Sequence, residues 1–293
     1  MSVTASTYRG RFAPSPTGPL HMGSLIAALA SYLDARHQAG IWLVRMEDLD
    51  PPREEPGAAD RILNSLQLHG LLWDEQVLFQ SHRASAYEAV LQRLRTGQHL
   101  FECNCSRRSL GPNGACITDC RNKQDVLRPP TATRLNVEAG SRVTFHDLIQ
   151  GQQVCDFGLQ SPDFIVRRKD GLNAYQLAVV VDDAYQAVTH IVRGSDLLDS
   201  TARQIYLQQL LHYPTPSYAH IPVISDAHGK KFSKQHHAPA LNDRNAPANL
   251  RRALQFLAQL SPPSTLTSAQ DILAFAVTNW TPKRIPARAF IPA

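Results

Sequence analysis

The chain lacks any apolar run long enough to cross a membrane. Its 293 residues contain no stretch of about 18 uninterrupted apolar side chains, the length that a membrane helix requires. Residues 1–5 also lack the basic region followed by an apolar region that marks a secretory signal. We therefore expect a cytoplasmic protein with no membrane partner.

Glycine, proline and cysteine are too scarce for three specialised classes of protein. The sequence has 15 Gly, 20 Pro and 5 Cys and no internal repeat, which excludes a collagen-like chain, a disordered chain and a disulfide scaffold. With 43% hydrophobic residues the composition is that of a globular protein, and a typical domain of about 150 residues predicts two domains. Thirty Lys and Arg against 25 Asp and Glu give a net charge of +5, which favours a polyanionic partner without identifying it.

The first 50 residues alternate between strand and helix patterns. Residues 8–13 predict a strand, the apolar run that follows predicts a helix capped at Gly40, and residues 41–46 predict a second buried strand. This βαβ unit places loops 14–23 and 47–50 at the carboxyl ends of parallel strands, where α/β sheets bind ligands.

The same alternation continues further along the chain. Periodicity predicts helices at 58–69, 85–96, 174–185 and 201–212, and strands at 164–167, 188–192 and 221–224. Residues 101–123 form a cysteine-bearing insertion, and the tail after residue 247 predicts two helices separated by a Pro/Ser break.

Two short motifs carry the chemistry. His21, Gly23 and Ser24 open the first helix, where an imidazole, a close-approaching backbone and free N–H groups would stabilise a polyphosphate. Lys231 and Lys234 lie on a Gly-containing loop that can close over phosphates. Taken singly, the histidine is more often a helix cap and the lysines a solvated loop. Together they favour an enzyme that handles a nucleotide.

The two motifs together resemble the signature pair of class I aminoacyl-tRNA synthetases. Residues 21–24 are similar to the HIGH box and residues 231–235 to the KMSKS box. Further segments resemble the glutamyl-tRNA synthetase catalytic core, in order along the chain: residues 11–18, 45–50, 175 with 179–183, and 192–196. The resemblance implies an α/β fold with a Rossmann-type parallel-sheet nucleotide-binding core, a zinc-bearing insertion and a short helical C-terminal tail.

The number of residues after the second motif distinguishes between two kinds of relative within this family. Too few residues follow position 240 for helical anticodon-binding domains, and residues 50–59 and 233–240 resemble a shortened paralogue of the glutamyl core. That paralogue activates L-glutamate with ATP and Mg²⁺ and attaches it to the queuosine base at the wobble position of tRNA(Asp). We expect a monomer. The expected segments are a first core half (1–100), a zinc-binding, acceptor-binding-like insertion (101–160), a second core half (161–240) and a tail (241–293).

The resemblance implies two sets of site residues. The glutamate-binding set is Arg11, Phe12, Ala13, Pro14, Ser15, Glu47, Tyr175 and Arg193. The ATP-binding set is His21, Gly23, Ser24, Lys231, Ser233 and Lys234, of which His21, Gly23, Lys231 and Lys234 are the catalytic candidates. Arg11 would bind the side-chain carboxylate and Glu47 the α-ammonium. A plain ion pair between Arg193 and Glu47, with Tyr175 as a core aromatic, is the structural alternative.

Four of the five cysteines fall into two close pairs. Cys103 and Cys105 lie two apart and Cys116 and Cys120 four apart, so four thiolates can close a tetrahedral structural zinc site with one ion per chain. The resemblance supports zinc, although its third ligand is often a tyrosine where this chain has Cys116. Cys155 is interpreted as a buried thiol outside the site.

Three functional hypotheses stay open. The first is the queuosine-directed paralogue, the second a truncated glutamyl-tRNA synthetase that charges a tRNA 3′ end, and the third a tRNA-binding paralogue that has lost activation. The short tail disfavours the second and the intact motif pairs disfavour the third. Candidates for holding tRNA phosphates are Arg107, Arg108, Arg121, Arg251 and Arg252.

Overall fold

Strand and helix segments alternate along most of the chain. The computed structural model describes residues 7–111, 114–157, 163–225 and 239–292. The helices are α1 (Met22–His37), α2 (Ala58–Leu68), α3 (Ala84–Thr96), α4 (Tyr175–Tyr185), α5 (Leu198–Leu210), α6 (Ala246–Phe256) and α7 (Ala269–Thr278). The strands are β1 (Arg9–Phe12), β2 (Ile41–Met46), β3 (Leu78–Phe79), β4 (Leu100–Cys103), β5 (Ala132–Asn136), β6 (Arg142–Asp147), β7 (Gly151–Asp156), β8 (Asp163–Arg167), β9 (His190–Gly194), β10 (Ser217–Ile221), β11 (Val223–Ser225) and β12 (Phe290–Pro292).

Parallel strands form the centre of the fold. β1 pairs with β2 and β2 with β3, while β10 lies between β9 and β6, all in parallel. β1 also contacts β9, and the Thr189 amide donates to the Arg9 carbonyl at 2.9 Å, which joins the two groups of strands. The α/β prediction is therefore confirmed. The carboxyl ends of β1, β2 and β9 meet at one edge, where such sheets bind ligands.

A second, antiparallel sheet holds the start of the cysteine-bearing segment. β5 lies between β4 and β8. Sequence periodicity did not predict β4 and β5, because two polar residues occupy buried positions of β5. Thr133 donates to Glu102 at 2.8 Å and Arg134 pairs with Asp163, so both are satisfied inside the protein. Buried polar side chains of this kind hide the apolar pattern that marks a strand.

The first helix is covered on both sides. One side of α1 packs on β1, β2 and β9, and the other packs on α6 and α7. Leu29, Leu33, Leu250 and Ile272 therefore share one buried core, and the two predicted tail helices are part of it. Each fully buried leucine is worth about 1.5–3 kcal/mol relative to an exposed one, so the tail helps to hold α1 in place. In the described residues, no helix is both long enough and apolar enough to span a membrane.

Several predicted boundaries are wrong by a few residues. The left-handed residue after α1 is Ala39, with φ 49°, and not Gly40. Gly40 is required for another reason, since a Cβ there would lie 2.6 Å from the Tyr8 carbonyl oxygen.

The remaining boundary errors lie in the second half. The strand predicted at 188–192 is β9, shifted because its buried Arg193 breaks the apolar pattern. The helix predicted from residue 201 begins at Leu198, and the strand predicted at 221–224 is the end of β10 and most of β11.

Candidate active site

The two predicted ligand loops meet at the carboxyl edge of the sheet. The loop after β1 and the loop after β2 are joined where the Glu47 amide donates to the Pro14 carbonyl at 2.9 Å. This contact follows from the parallel pairing of β1 and β2, which brings both strand ends to the same level. Gly194, the last residue of β9, lies at the same edge.

A small cavity of about 130 Å³ opens between these strand ends. Six of the eight predicted glutamate-binding residues line it: Arg11, Phe12, Ala13, Glu47, Tyr175 and Arg193. The other two, Pro14 and Ser15, line a larger neighbouring cavity. The structure therefore gathers the predicted set in one place, and the roles of its members remain predictions.

Two of the buried arginines near the cavity share one carboxylate. Arg11 Nε lies 3.1 Å from Asp183 Oδ1, and Arg45 Nη2 lies 2.8 Å from the same oxygen. All three side chains are at most 4% exposed. Burial alone would raise the pKa of Asp183, but the two guanidinium groups outweigh it and hold that pKa below its ordinary value. Asp183 therefore remains charged and neutralises part of the cluster.

Glu47 is in a different electrostatic position. Its side chain is 11% exposed, and the nearest arginine, Arg45, approaches only to 3.8 Å. Burial raises the pKa of Glu47 to about 7, because Arg45 and Arg11 compensate only part of the lost hydration. A cation that entered the cavity would stabilise the ionised form of this carboxylate.

The structure does not contain the alternative ion pair between Arg193 and Glu47. Arg193 donates from Nε to His220 at 3.0 Å, from Nη1 to the Tyr175 hydroxyl at 3.2 Å and from Nη2 to Thr201 at 2.7 Å. In the part of the chain that is described, no carboxylate lies within 4.0 Å of Arg193. Burial raises the pKa of Tyr175, so its hydroxyl remains protonated.

The larger cavity, about 480 Å³, lies over the first turn of α1. His21, Gly23 and Ser24 line it, as the nucleotide prediction requires. His21 is the N-cap of α1, and its Nδ1 accepts from the Ser24 amide at 3.2 Å. Free amides at a helix start attract anions. The volume lies within the range of small-molecule pockets, about 300–1,000 Å³.

The two cavities share a wall. Phe12, Ala27 and Gly194 line both of them. Gly194 admits no side chain, since a Cβ there would lie 2.4 Å from Asp196 Oδ1 and 2.9 Å from Val223. The two cavities are therefore adjacent, as binding of a small charged ligand beside a nucleotide requires.

The predicted basic loop is the second part of the nucleotide prediction. Lys231, Ser233 and Lys234 lie outside the described residues, between Ser225 and Pro239. Their assignment to ATP therefore stays a prediction.

The four paired cysteines form one cluster. The Sγ atoms of Cys103, Cys105, Cys116 and Cys120 all lie within 4.8 Å of one another. Sγ of Cys105 lies 3.8 Å from that of Cys116 and 3.6 Å from that of Cys120. Zn–S bonds of about 2.3 Å place tetrahedral sulfurs roughly 3.8 Å apart, so the donor set and its spacing suit zinc. Cys155 is on β7, outside this cluster, and is half-buried rather than buried.

Two of the five arginines proposed for tRNA have other partners. Arg251 donates to the carbonyls of Pro262, Pro263 and Leu266, which fixes the predicted Pro/Ser break. Arg121 pairs with Asp163 at 3.3 Å and lies over the Phe101 ring. Arg107, Arg108 and Arg252 are exposed, as a phosphate-binding role requires.

Sequence reasoning missed the partners that fix the site. Arg45 and Asp183 were noted only as parts of matching segments, and His220 carried no signal at all. Their partners lie far away in the sequence: Arg11 and Asp183 are 172 positions apart. The two adjacent acidic residues on α4 are the local sequence pattern that indicated Asp183. They do not have the same role, because the neighbouring Asp182 accepts a hydrogen bond from the Tyr87 hydroxyl at 2.6 Å.

Comparison with known proteins agrees with the geometry. Residues 7–250 match the family model described as tRNA synthetases class I (E and Q), catalytic domain. A protein of Pseudomonas putida named glutamyl-Q tRNA(Asp) synthetase is 48% identical over 100% of this chain and 97% of its own length. A protein of the same name from Dechloromonas aromatica is 48% identical over 98% of both chains.

Among solved structures, the crystal structure of a glutamate tRNA ligase from Elizabethkingia meningosepticum in complex with its amino acid is similar in fold. Its TM-score is 0.80 at 21% identity, over 97% of this chain. The chain spans 66% of the length of that ligase.

Proposed function

The chain belongs to the family of class I tRNA synthetases (E and Q), catalytic domain, and on that premise we propose that it joins glutamate to queuosine in tRNA(Asp). The reaction has two steps: activation of L-glutamate by ATP with Mg²⁺, and transfer of the glutamyl group to the wobble base. The observation that carries the proposal is the shared wall between a small cavity lined by Arg11, Glu47 and Arg193 and a larger cavity over the start of α1.

The charges of the small cavity suit glutamate. Its α-ammonium would pair with Glu47, whose pKa of about 7 would fall when a cation binds. Its side-chain carboxylate would accept from Arg193 and Arg11. Asp183 neutralises one of the two positive charges of Arg11 and Arg45, and Arg193, which has no carboxylate within 4.0 Å among the described residues, adds a further positive charge that a substrate carboxylate can balance. Glutamine offers no charge to balance it, which favours glutamate as the substrate.

In the first step the α-carboxylate of glutamate attacks the α-phosphorus of ATP. The bond from that phosphorus to the bridging oxygen breaks, and pyrophosphate leaves with the electron pair. The nucleophile is already an anion, so no general base is required and the protein acts by positioning and charge stabilisation. His21, Gly23, Ser24 and the predicted loop residues Lys231, Ser233 and Lys234 would carry out this task.

In the second step a hydroxyl of the queuosine cyclopentene ring attacks the adenylate carbonyl. An ester forms, AMP leaves, and the hydroxyl proton passes to solvent. A wobble base lies in a single-stranded loop, which proteins commonly read by splaying out the base. The full-length similarity to relatives named glutamyl-Q tRNA(Asp) synthetase supports this acceptor over a tRNA 3′ end.

Transfer of labelled glutamate to two forms of tRNA(Asp) tests the proposal. We expect label on queuosine-containing tRNA(Asp), including tRNA trimmed of its terminal adenosine, and none on a transcript without queuosine. Label on the 3′ end would instead identify a truncated glutamyl-tRNA synthetase. Binding without transfer to either form would identify a non-catalytic paralogue.

The cysteine cluster is proposed to hold one structural Zn²⁺ per chain. Four buried or half-buried sulfurs within 4.8 Å of one another support this assignment. The ion would stabilise the loop after β4 and take no part in the reaction. Metal analysis of untagged protein should give about one zinc per chain, lost in Cys120→Ser and retained in the matched Cys155→Ser. A folded, active protein without zinc would contradict the assignment.

A further inference from the structure

We infer that Asp147 and His220 are positioning residues that orient Arg193 and leave its charge available to the substrate. The inference rests on the proposed function, which assigns Arg193 to the glutamate side chain. Neither residue is among those that line the small cavity, and neither lies in one of the short sequence motifs from which the site residues were predicted.

Strand register brings the three residues together. β10 lies between β9 and β6, so that His220 is directly opposite Arg193 and Tyr218 is opposite Asp147. The exposed fraction is 0% for Asp147 and His220 and 5% for Arg193. The three side chains therefore form a buried chain that ends at the cavity.

Asp147 is held as an ionised carboxylate. Its Oδ1 accepts from the amides of Ile149, Gln150 and His220 at 2.8–3.1 Å, and its Oδ2 lies 2.6 Å from His220 Nδ1. Burial alone would raise the pKa of Asp147, but these donors outweigh it and lower that pKa. An ionised carboxylate can only accept hydrogen bonds, so the proton of this contact lies on His220 Nδ1.

The other ring nitrogen must then be an acceptor. Arg193 Nε–H points at His220 Nε2 over 3.0 Å, and a guanidinium can only donate. His220 is therefore the neutral imidazole with its proton on Nδ1. Thr201 Oγ1 also lies 3.1 Å from this nitrogen, but a proton on Nε2 would leave Arg193 Nε–H without its acceptor.

This arrangement fixes one side of the guanidinium and frees another. His220 and Thr201 hold Nε and Nη2, so Nη1 faces Tyr175 and the cavity. Arg11 and Arg45 each have a carboxylate within 4.0 Å, whereas Arg193 has none in the described chain and meets Asp147 only through the neutral imidazole. The positive charge of Arg193 therefore remains for a substrate carboxylate.

The substitution Asp147→Asn should move the imidazole proton of His220 to the other ring nitrogen while keeping the shape of the residue 147 side chain. The amide oxygen still accepts from the three backbone amides, but the NH₂ group faces His220 Nδ1 and forces the imidazole proton onto Nε2. We expect KM for glutamate in pyrophosphate exchange to rise roughly 10- to 100-fold, because a hydrogen bond to a charged group is lost. KM for ATP should stay within about twofold.

Two further variants separate positioning from folding. His220→Gln places an amide oxygen where Nε2 was and should retain more glutamate affinity than His220→Leu, which offers no acceptor. Asp34→Asn is the matched control: Asp34 accepts from Trp280 Nε1 at 2.8 Å, outside the site, so its loss should change stability and leave KM for glutamate unchanged. Equal KM values for His220→Gln and His220→Leu would overturn the inference.

Nitrogen-15 NMR of the histidine rings reads the tautomer without any activity. The His220 signals, assigned from their absence in His220→Gln, should show the proton on Nδ1 in the wild type and on Nε2 in Asp147→Asn. A proton on Nε2 in the wild type would overturn the inference. If the wild type shows no glutamate-dependent exchange, the proposed function fails, and the NMR result still decides the tautomer. If exchange is present and Asp147→Asn leaves KM for glutamate unchanged, only the positioning inference fails.

Discussion

The two cavities on either side of Gly194 are built in opposite ways. The small cavity is bounded by buried charged side chains, and each of its arginines is held by a partner from another strand or helix. The large cavity is bounded mainly by a helix start, turn residues and apolar side chains. The charges around the small cavity are thus held in place by protein partners, whereas the phosphate contacts proposed for the large cavity come from backbone groups and from a basic loop predicted from the sequence.

The difference matches what the ligand proposed for each cavity requires. A glutamate has three fixed charges, and buried charges at fixed positions distinguish it from glutamine or aspartate. A triphosphate presents many equivalent oxygens, which backbone amides at a helix start can bind with little demand for exact geometry. Substitutions in the small cavity and substitutions in the large cavity should therefore have different effects on stability, on KM for glutamate and on the rate of adenylate formation.

The largest effect should come from removing the shared carboxylate of the small cavity. Asp183→Asn leaves Arg11 and Arg45 buried without their anion, and we expect a loss of about 3–5 kcal/mol in the free energy of unfolding. Urea unfolding measures it. The control is Glu75→Gln, which should cost less than about 1 kcal/mol, because the Glu75 side chain is 50% exposed where it pairs with Arg9. Equal losses in the two variants would mean that the buried cluster has no special energetic role.

On the other side of the wall, His21→Ala should act on rate rather than on affinity. We expect adenylate formation to slow by about 10²- to 10³-fold with little change in KM for glutamate, because the contact is made at the developing phosphate charge. Pyrophosphate exchange measures both quantities. His37→Ala, an exposed histidine at the far end of the same helix, should change neither. A rise in KM for glutamate with an unchanged rate would place His21 in amino-acid binding instead.

Protonation of Glu47 offers a smaller and reversible test of the small cavity. Its pKa is raised to about 7, so the free enzyme holds a proton there at lower pH and loses the partner for the α-ammonium. KM for glutamate should rise by up to about tenfold for each pH unit below 7 and level off above it. KM for ATP should not follow this profile.

The same raised pKa affects stability with a defined sign. The unfolded chain ionises this group at about 4.5 and the folded chain at about 7, so its contribution to stability is present below 4.5 and is lost as pH rises to 7. Glu47→Gln should therefore unfold at a higher denaturant concentration than the wild type at pH 8, while binding glutamate less tightly. A variant that is no more stable than the wild type at pH 8 would show that burial of the ionised Glu47 carboxylate does not destabilise the fold.

The smallest effect expected is that of one hydroxyl. Tyr175→Phe removes an acceptor for Arg193 Nη1 and should raise KM for glutamate by roughly 2- to 10-fold, the value of one hydrogen bond of about 0.5–1.5 kcal/mol. Tyr206→Phe, which removes a hydroxyl outside both cavities, is the matched control. Steady-state kinetics measure KM for glutamate and KM for ATP separately, and we expect KM for ATP to stay unchanged.

The sequence predicted which residues lie at the site better than it predicted which of them contact one another. Loops after parallel strands must meet at one edge, so Glu47 and the residues after β1 were predicted near one another and are. The pairing of Arg11 with Asp183 and the contact of His220 with Arg193 depend on strand register and helix packing between distant segments, which no local pattern encodes. The strand β5 was missed for a related reason, since its buried Thr133 and Arg134 are satisfied only by distant partners.

Amino-acid-dependent exchange of pyrophosphate into ATP, measured without tRNA, tests the central claim most directly. A small cavity that carries charges suited to glutamate and shares a wall with the proposed nucleotide cavity predicts exchange with L-glutamate and none above background with L-glutamine or L-aspartate. Exchange that appears only when tRNA is added, or that is equal with glutamine, would contradict the claim that the site is complete for glutamate before the acceptor binds.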